Sequence, residues 1–184
     1  PKFTFFTQTN DNQYQFTKQL YLEGHEVALH SVSHNTGVST DKHTWEKEIV
    51  KARGYIATLC PPLSFLSLSA GIPESEIVGF RAPDLKYNDA MLEVLHERGF
   101  LYDSSIPTDA QQYPYTLDHG AIEQEWRGRV INQSHPGLWE VAYRRGCHVD
   151  PAAHAGGRGG TFGDRPGPQR IQRGNPPTAK AQLR

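Results

Sequence analysis

Gly24-His25-Glu26-Val27-Ala28-Leu29-His30-Ser31-Val32-Ser33-His34 is the stretch on which the reading of this chain turns. Val27, Ala28 and Leu29 form a short apolar run behind a glycine, as a buried strand does, and a histidine ends it. A second histidine follows four residues later. If the chain turns helical after Leu29, His30 and His34 share a face and both rings can address one ion. Neutral imidazoles are the common ligands of zinc and similar divalent ions, but a catalytic site needs a third protein ligand and an open position for water. The competing reading is a chance pair on a solvated turn.

Outward from this stretch the chain alternates strand and helix. Residues 2–7, aromatic and β-branched, read as a buried strand almost at the start. Residues 11–22 read as a helix capped from Asn10, Asp11 and Asn12, with Phe16, Leu20 and Tyr21 as its apolar side and Gly24 ending it. Residues 25–29 form the next strand. Over 44–60, Trp45, Ile49, Ala52, Ile56 and Leu59 recur at spacings of three and four, so that helix has one apolar face, and Pro61 and Pro62 stop it. Residues 63–72 have no clear period. Residues 76–80 read as a third strand, 88–98 as a helix capped by Asn88 and closed by Gly99, and 100–106 as a fourth strand. Residues 107–134 read as a long polar loop, and 138–143 as one more strand.

Such alternation argues for an α/β arrangement around a parallel sheet, either an open doubly wound sheet or a barrel, and periodicity does not choose between them. Both collect chemistry at the C-terminal edge of the sheet. His30, Arg81 and Asp103 fall at or near the predicted C-terminal ends of three different strands, as a site on that edge requires.

Composition sets the bounds. The 184 residues are 36% hydrophobic and 21% charged, an ordinary globular balance sufficient for one core. A formal net charge of -1 gives no argument for nucleic acid or an acidic membrane surface. Charge is uneven, however: beyond residue 150 six basic side chains face the single acid Asp164, in a segment rich in Gly, Pro and Arg. That segment, 151–184, is too poor in large apolar residues to offset the cost of ordering and is expected to be a disordered tail behind a domain of residues 1–150. It lacks the aromatic interleaving of a nucleic-acid platform. Cys60 and Cys147 make no disulfide framework and no thiolate site, although one bridge or two buried thiols both fit. No apolar run is long enough to span a bilayer and the first residues lack the basic start, apolar stretch and cleavage site of a secretory signal, while a strand at the first residues and an initial Pro1 lead us to expect a piece of something longer.

The histidine stretch resembles the histidine-pair motif of the polysaccharide deacetylases, the family of chitin and peptidoglycan deacetylases. Phe3-Thr4-Phe5-Phe6 is similar to the strand before that motif, and Gly79-Phe80-Arg81-Ala82-Pro83 to the family's Arg-x-Pro motif. Leu101-Tyr102-Asp103-Ser104-Ser105-Ile106, Tyr113-Pro114-Tyr115-Thr116-Leu117 and Ser134-His135-Pro136-Gly137-Leu138-Trp139-Glu140 are similar, in order and spacing, to the arthropod chitin deacetylases. The resemblance covers roughly residues 2–150.

It implies an incomplete, distorted (β/α) barrel, here truncated at both ends, in which two histidines and an aspartate hold a divalent metal, zinc or cobalt. His30 and His34 would be the histidine ligands. Arg81 would hold the catalytic base ionised, which suits a permanently charged guanidinium, and Asp103 would belong to the motif tuning the catalytic acid. The implied reaction is hydrolysis of N-acetyl groups of chitin or another N-acetylglucosamine polysaccharide, outside the cell, with a carboxylate as base and an imidazolium as acid. Two matches are missing. The family's Thr-Phe-Asp-Asp motif, source of the base and third ligand, does not occur, and its late Leu-x-His motif has no match towards the end of the chain, where His148 and His154 sit in unrelated surroundings. The fragment alone is therefore expected to be inactive. The alternatives are a catalytically inactive carbohydrate-binding module on the same frame and an amidase for a small molecule.

Several residues keep two readings. Asp103 also fits a strand-end turn residue bonded to the backbone of Ser105. Tyr113, Tyr115, Trp126 and Trp139 can stack on sugar rings, but loop aromatics more often anchor loops. His25 reads as locally bonded, His43 and His96 as surface, and His135 as structural.

Overall fold

A computed structural model describes residues 1–57, 69–108, 112–121, 131 and 133–144. The expected tail at 151–184, Cys60, Cys147, Trp126, Leu59 and the Pro61-Pro62 stop lie outside the described residues.

Four strands and three helices alternate from the start: β1 (Thr4–Thr7), α1 (Tyr14–Leu22), β2 (Glu26–Leu29), α2 (Lys42–Ala57), β3 (Gly79–Phe80), α3 (Asp89–Glu97) and β4 (Tyr102–Asp103). Short strands follow: β5 (Pro107–Thr108), β6 (Tyr115–Thr116), β7 (Trp139–Glu140) and β8 (Tyr143–Arg144). The main sheet runs β1-β2-β3-β4-β7-β6, parallel except for antiparallel β6, and β5 pairs in parallel with β8 in a separate two-stranded sheet. Its first four strands are neighbours in chain order. Right-handed crossovers between successive neighbours all fall on one face, which is how a barrel is wound and a doubly wound sheet is not. The described sheet does not close.

The helices form where the spacing places them. In α2, Trp45, Ile49, Ala52 and Ile56 are all fully buried, and Asp41 caps the start by accepting from the Thr44 N–H at 2.8 Å. Asn88 caps α3 through the Met91 N–H at 2.9 Å, and Gly99 ends it with φ +67°, a left-handed turn that a Cβ would disfavour. Both helices pack on the face of the sheet carrying Val27, Leu29 and Phe80, with Trp45 edge-on to Phe80 at 6.2 Å between ring centroids. Each such side chain contributes roughly 1.5–3 kcal/mol by burial. On the opposite face, among the described residues, Thr4, Phe6, Glu26 and Tyr102 border a cavity of about 410 Å³.

Four expectations need correction. β1 is not buried: among the described residues it is an edge strand with one neighbour, and Phe3 and Phe5 are 57% and 36% exposed. α1 begins at Tyr14 behind Gln13 without a side-chain cap, because the Asn12 side chain instead accepts from Thr17 Oγ1 at 2.9 Å. Phe16 is consequently on its outer side, exposed, whereas Thr17 is buried. The third and fourth strands contract to two residues each, the third behind a 3-10 turn at Glu74–Glu76. The stretch 107–134 is not one plain loop, since β5 and β6 lie in it, and the single strand expected at 138–143 divides between the two sheets as β7 and β8.

Candidate metal and reaction centre

His30 follows β2 directly and Arg81 follows β3, so the C-terminal edge of the sheet places them side by side, with Arg81 N–H donating to Leu29 O at 2.9 Å. His30 and His34 are brought together, their ring centroids 5.0 Å apart. The helical turn expected from the four-residue spacing is absent. The chain folds back through two left-handed residues, Ser31 at φ 68° and His34 at φ 60°. Ser31 is fully buried and its Oγ accepts from the His34 N–H at 3.1 Å, while the Thr9 and Asn10 N–H groups donate to Ser31 O and Val32 O.

Glu48 secures this loop from α2. Its carboxylate accepts from the N–H groups of Val32 and Ser33, both at 2.9 Å, and from Ser33 Oγ at 2.8 Å. Sequence reading missed it. Its only signal is a position next to Ile49 on a helix whose apolar face is buried, which puts a neighbouring side chain near the strand ends.

The tautomer of His30 follows from its partner. Its Nδ1 lies 2.8 Å from Arg81 O, and a carbonyl only accepts, so the hydrogen sits on Nδ1 and Nε2 keeps its lone pair. Burial pushes the His30 pKa down, which favours the neutral ring. A ligand imidazole that donates its other N–H to a backbone carbonyl is the usual arrangement at metal sites, so the donor set fits a divalent ion. Among the described residues, no group of three histidine, cysteine or carboxylate side chains is assembled to hold one. Asp84, in a 3-10 turn at Pro83–Leu85, is close enough for its charge to act on both His30 and His34.

Arg81 is held rigidly. Its Nε donates to Ser104 O at 2.8 Å and Nη2 to Ser104 Oγ at 2.7 Å, and the guanidinium lies over the rings of Phe6 and Tyr143 at 4.0 and 5.3 Å. Asp103 stands on the next strand, β4. Fully buried at the end of β4, it accepts from Ser105 Oγ at 2.6 Å and from Ser105 N–H at 3.2 Å, as the turn reading supposed. Ser105 Oγ also accepts from the Ala82 N–H at 2.7 Å, tying this turn to the Arg81 segment.

Glu140, opposite Asp103 in the register of β7, is a second residue that sequence reading left without a role. It is fully buried, accepts from the Ile106 N–H at 3.1 Å and stands beside Asp103 on the neighbouring strand. Burial pushes Asp103 up to about 6 and Glu140 well above the usual carboxylate range. Two buried carboxyls facing each other disfavour ionisation of both.

The other readings resolve individually. His25 Nδ1 accepts from the Phe3 N–H at 3.1 Å, His43 and His96 are exposed, and His135 is buried. Of the aromatics, Tyr115 packs against the core, but Tyr113 and Trp139 remain 82% and 45% exposed and anchor little.

Known proteins are similar to this chain in sequence and fold. The profile of the polysaccharide deacetylases matches residues 1–102. Chitin deacetylase 8 of Bombyx mori is 30% identical over 141 residues, covering 74% of this chain and 35% of that protein. Chitin deacetylase 1 of Bombyx mori is 28% identical over 120 residues, covering 63% of this chain and 21% of that protein. The chain thus spans about a third or less of the length of these curated relatives. A crystal structure from Mycobacterium smegmatis, assigned to the polysaccharide deacetylases, superposes with a TM-score of 0.50 at 26% identity over 76% of this chain and 39% of that one. With more than half of its 184 residues inside the family profile, the chain belongs to the polysaccharide deacetylase family.

Proposed function

We propose that this chain is part of a longer secreted enzyme that hydrolyses N-acetyl groups of chitin or a related N-acetylglucosamine polysaccharide, using a divalent metal, zinc or cobalt, at His30 and His34. The observation that carries the reading is the His30 ring beside the His34 ring, with its Nδ1 hydrogen engaged by Arg81 O and Nε2 left as a ligand. A divalent ion bound there would polarise the acetyl carbonyl and lower the pKa of its water.

The chain's own contribution is binding and charge. His30 and His34 hold the ion, and Glu48 and Ser31 keep their loop in a shape that the backbone would not otherwise prefer. Arg81, fixed by Ser104 at the neighbouring strand end, supplies a permanent positive charge that keeps a nearby carboxylate ionised. Asp103 acts through the turn that fixes Ala82 rather than on the substrate. The base and the acid come from other parts of the parent protein, so this chain alone binds metal without turnover.

A second reading, a carbohydrate-binding module without catalysis, draws support from the exposed rings of Trp139 and Tyr113. One experiment separates them. Zinc binding is measured by calorimetry on the chain and on the His30→Ala, His34→Ala double variant, with deacetylation of N-acetylglucosamine oligomers assayed on the chain and the longer parent. Histidine-dependent binding, with turnover only in the parent, supports the enzyme. A parent without turnover leaves the binding module, and zinc binding untouched by the double substitution removes the metal centre.

A further inference from the structure

Of residues 133–137 only His135 is buried: it is 3% exposed, while Gln133, Ser134, Pro136 and Gly137 face solvent. The turn is clasped from Leu117 and Asp118. His135 N–H donates to Leu117 O at 2.9 Å, Leu117 N–H to Leu138 O at 2.8 Å, and Gly137 N–H to Asp118 Oδ1 at 3.0 Å. β7 starts at the next residue, Trp139, so whatever seats the His135 ring also seats the start of that strand.

The ring lies 6.0 Å, centroid to centroid, from that of His96 in the last turn of α3. Asp89, Glu93 and His96 follow one another along α3 at spacings of four and three, so they share one face of it. Lys42 of α2 takes up Glu93 at 2.8 Å. Among the described residues, His135 Nε2 and Asp89 Oδ1 are both buried without a hydrogen-bond partner. A leucine or phenylalanine would plug the socket without leaving a polar nitrogen unbonded, so an imidazole is a costly choice for packing alone. What it adds is a charge that changes near neutral pH. Protonation makes donors of both ring nitrogens, Nε2 has no acceptor, and a protonated His96 would meet the ring with like charge. Burial above all, and then His96, push the His135 pKa down, while Asp89 and Glu93 act the other way. The seated turn is therefore fully stable above the ordinary histidine value of 6.5 and loses stability as the pH falls below it.

We propose that His135 is a pH-sensitive latch: uncharged, it seats the 133–138 turn and the start of β7 against α3, and on protonation in mild acid it leaves its socket and frees them. Strands β1 to β4 pair with one another without this ring and keep their places. The sign is opposite to that of the buried carboxyls Asp103 and Glu140, so the effect is read segment by segment and not from a global melt.

The test is hydrogen–deuterium exchange of the full chain at about pH 7.5 and about pH 5.5, followed by mass spectrometry and corrected for the intrinsic pH dependence of exchange. In the unaltered chain, peptides containing the bonded amides of Leu117, His135 and Leu138 are expected to lose protection about ten-fold or more at the lower pH, while those of β2 do not. His135→Phe keeps an aromatic plug without a titrating group and is expected to stay protected at both. NMR of the imidazole C–H signals follows His135 itself in the unaltered chain, and its titration is expected to track the loss of protection. Protection that is unchanged in acid overturns the inference, as does protection that grows, which would mean that the charged ring pairs with Asp89 instead. An equal acid loss in His135→Phe also overturns it. If the larger ring does not fit and His135→Phe is unprotected at both pH values, the unaltered chain decides. Loss of protection with the same midpoint as the His135 titration then supports the latch, and a different midpoint removes it.

Discussion

Glu48 accepts three hydrogen bonds from Val32 and Ser33, and those bonds hold the His30–His34 loop against the preferences of its own backbone. Replacing it with glutamine keeps the size but points an amide N–H at donors. Glu48→Gln is therefore expected to cost on the order of 1–3 kcal/mol in urea unfolding. The same variant should weaken zinc binding about ten-fold or more, although its side chain is bonded to the loop and not to the histidine rings. Unchanged zinc affinity by calorimetry would show that the loop keeps its shape without the carboxylate. At this scale the ligand candidates were legible, because an imidazole at a strand end is distinctive in any sequence. Glu48 was not, since nothing local distinguishes a surface glutamate of a helix from one that reaches a loop 15 or 16 residues away.

Between β4 and β7, the Asp103–Glu140 pair makes stability depend on pH in the direction opposite to that of a salt-bridged carboxylate. Asp103 rises from 3.8 to about 6, by burial above all, so the folded state binds its proton more tightly than the unfolded chain does. The resulting stabilisation is complete below about pH 4 and is lost as the pH rises through about 6. Glu140, pushed well above the usual carboxylate range by burial, adds a loss of the same sign. The melting temperature is expected to fall between about pH 5 and pH 7 at constant ionic strength, and to fall less in Asp103→Asn and Glu140→Gln. A melting temperature that rises over this interval, and does so equally in both variants, would place the titrating groups elsewhere. Element lengths have a similar physical origin. Long one-sided helices such as α2 carry their own signal, whereas a two-residue strand such as β3 exists only because neighbours pair with it. Gly79 illustrates the point: a Cβ there would collide with the Tyr102 ring lying over it from β4, a constraint invisible within β3.

Over the molecule as a whole, the open side of the sheet is the exposed liability. β1 has one hydrogen-bonded neighbour, its other edge is unpaired among the described residues, and Phe3 and Phe5 are exposed there. An apolar parallel edge invites strands from other chains. Phe5→Lys is expected to slow aggregation in time-resolved light scattering while the circular dichroism spectrum stays the same; equal aggregation would direct attention away from β1. By itself the sequence determined the α/β alternation, the helices α2 and α3 with the Asn88 cap of the latter, the placement of His30 and Arg81 on one sheet edge, and the family. These follow from periods, caps and motifs that lie within a few residues of one another. Only the tertiary structure decided that successive strands are neighbours, so that the sheet winds one way with its helices on one face. It likewise decided that a strained loop rather than a helix joins the two histidines, that Asp103 faces a second buried carboxyl, and that β1 is exposed. Each of these depends on which distant segment packs against which, and a contact between residues far apart in the chain leaves no period in either stretch to be read.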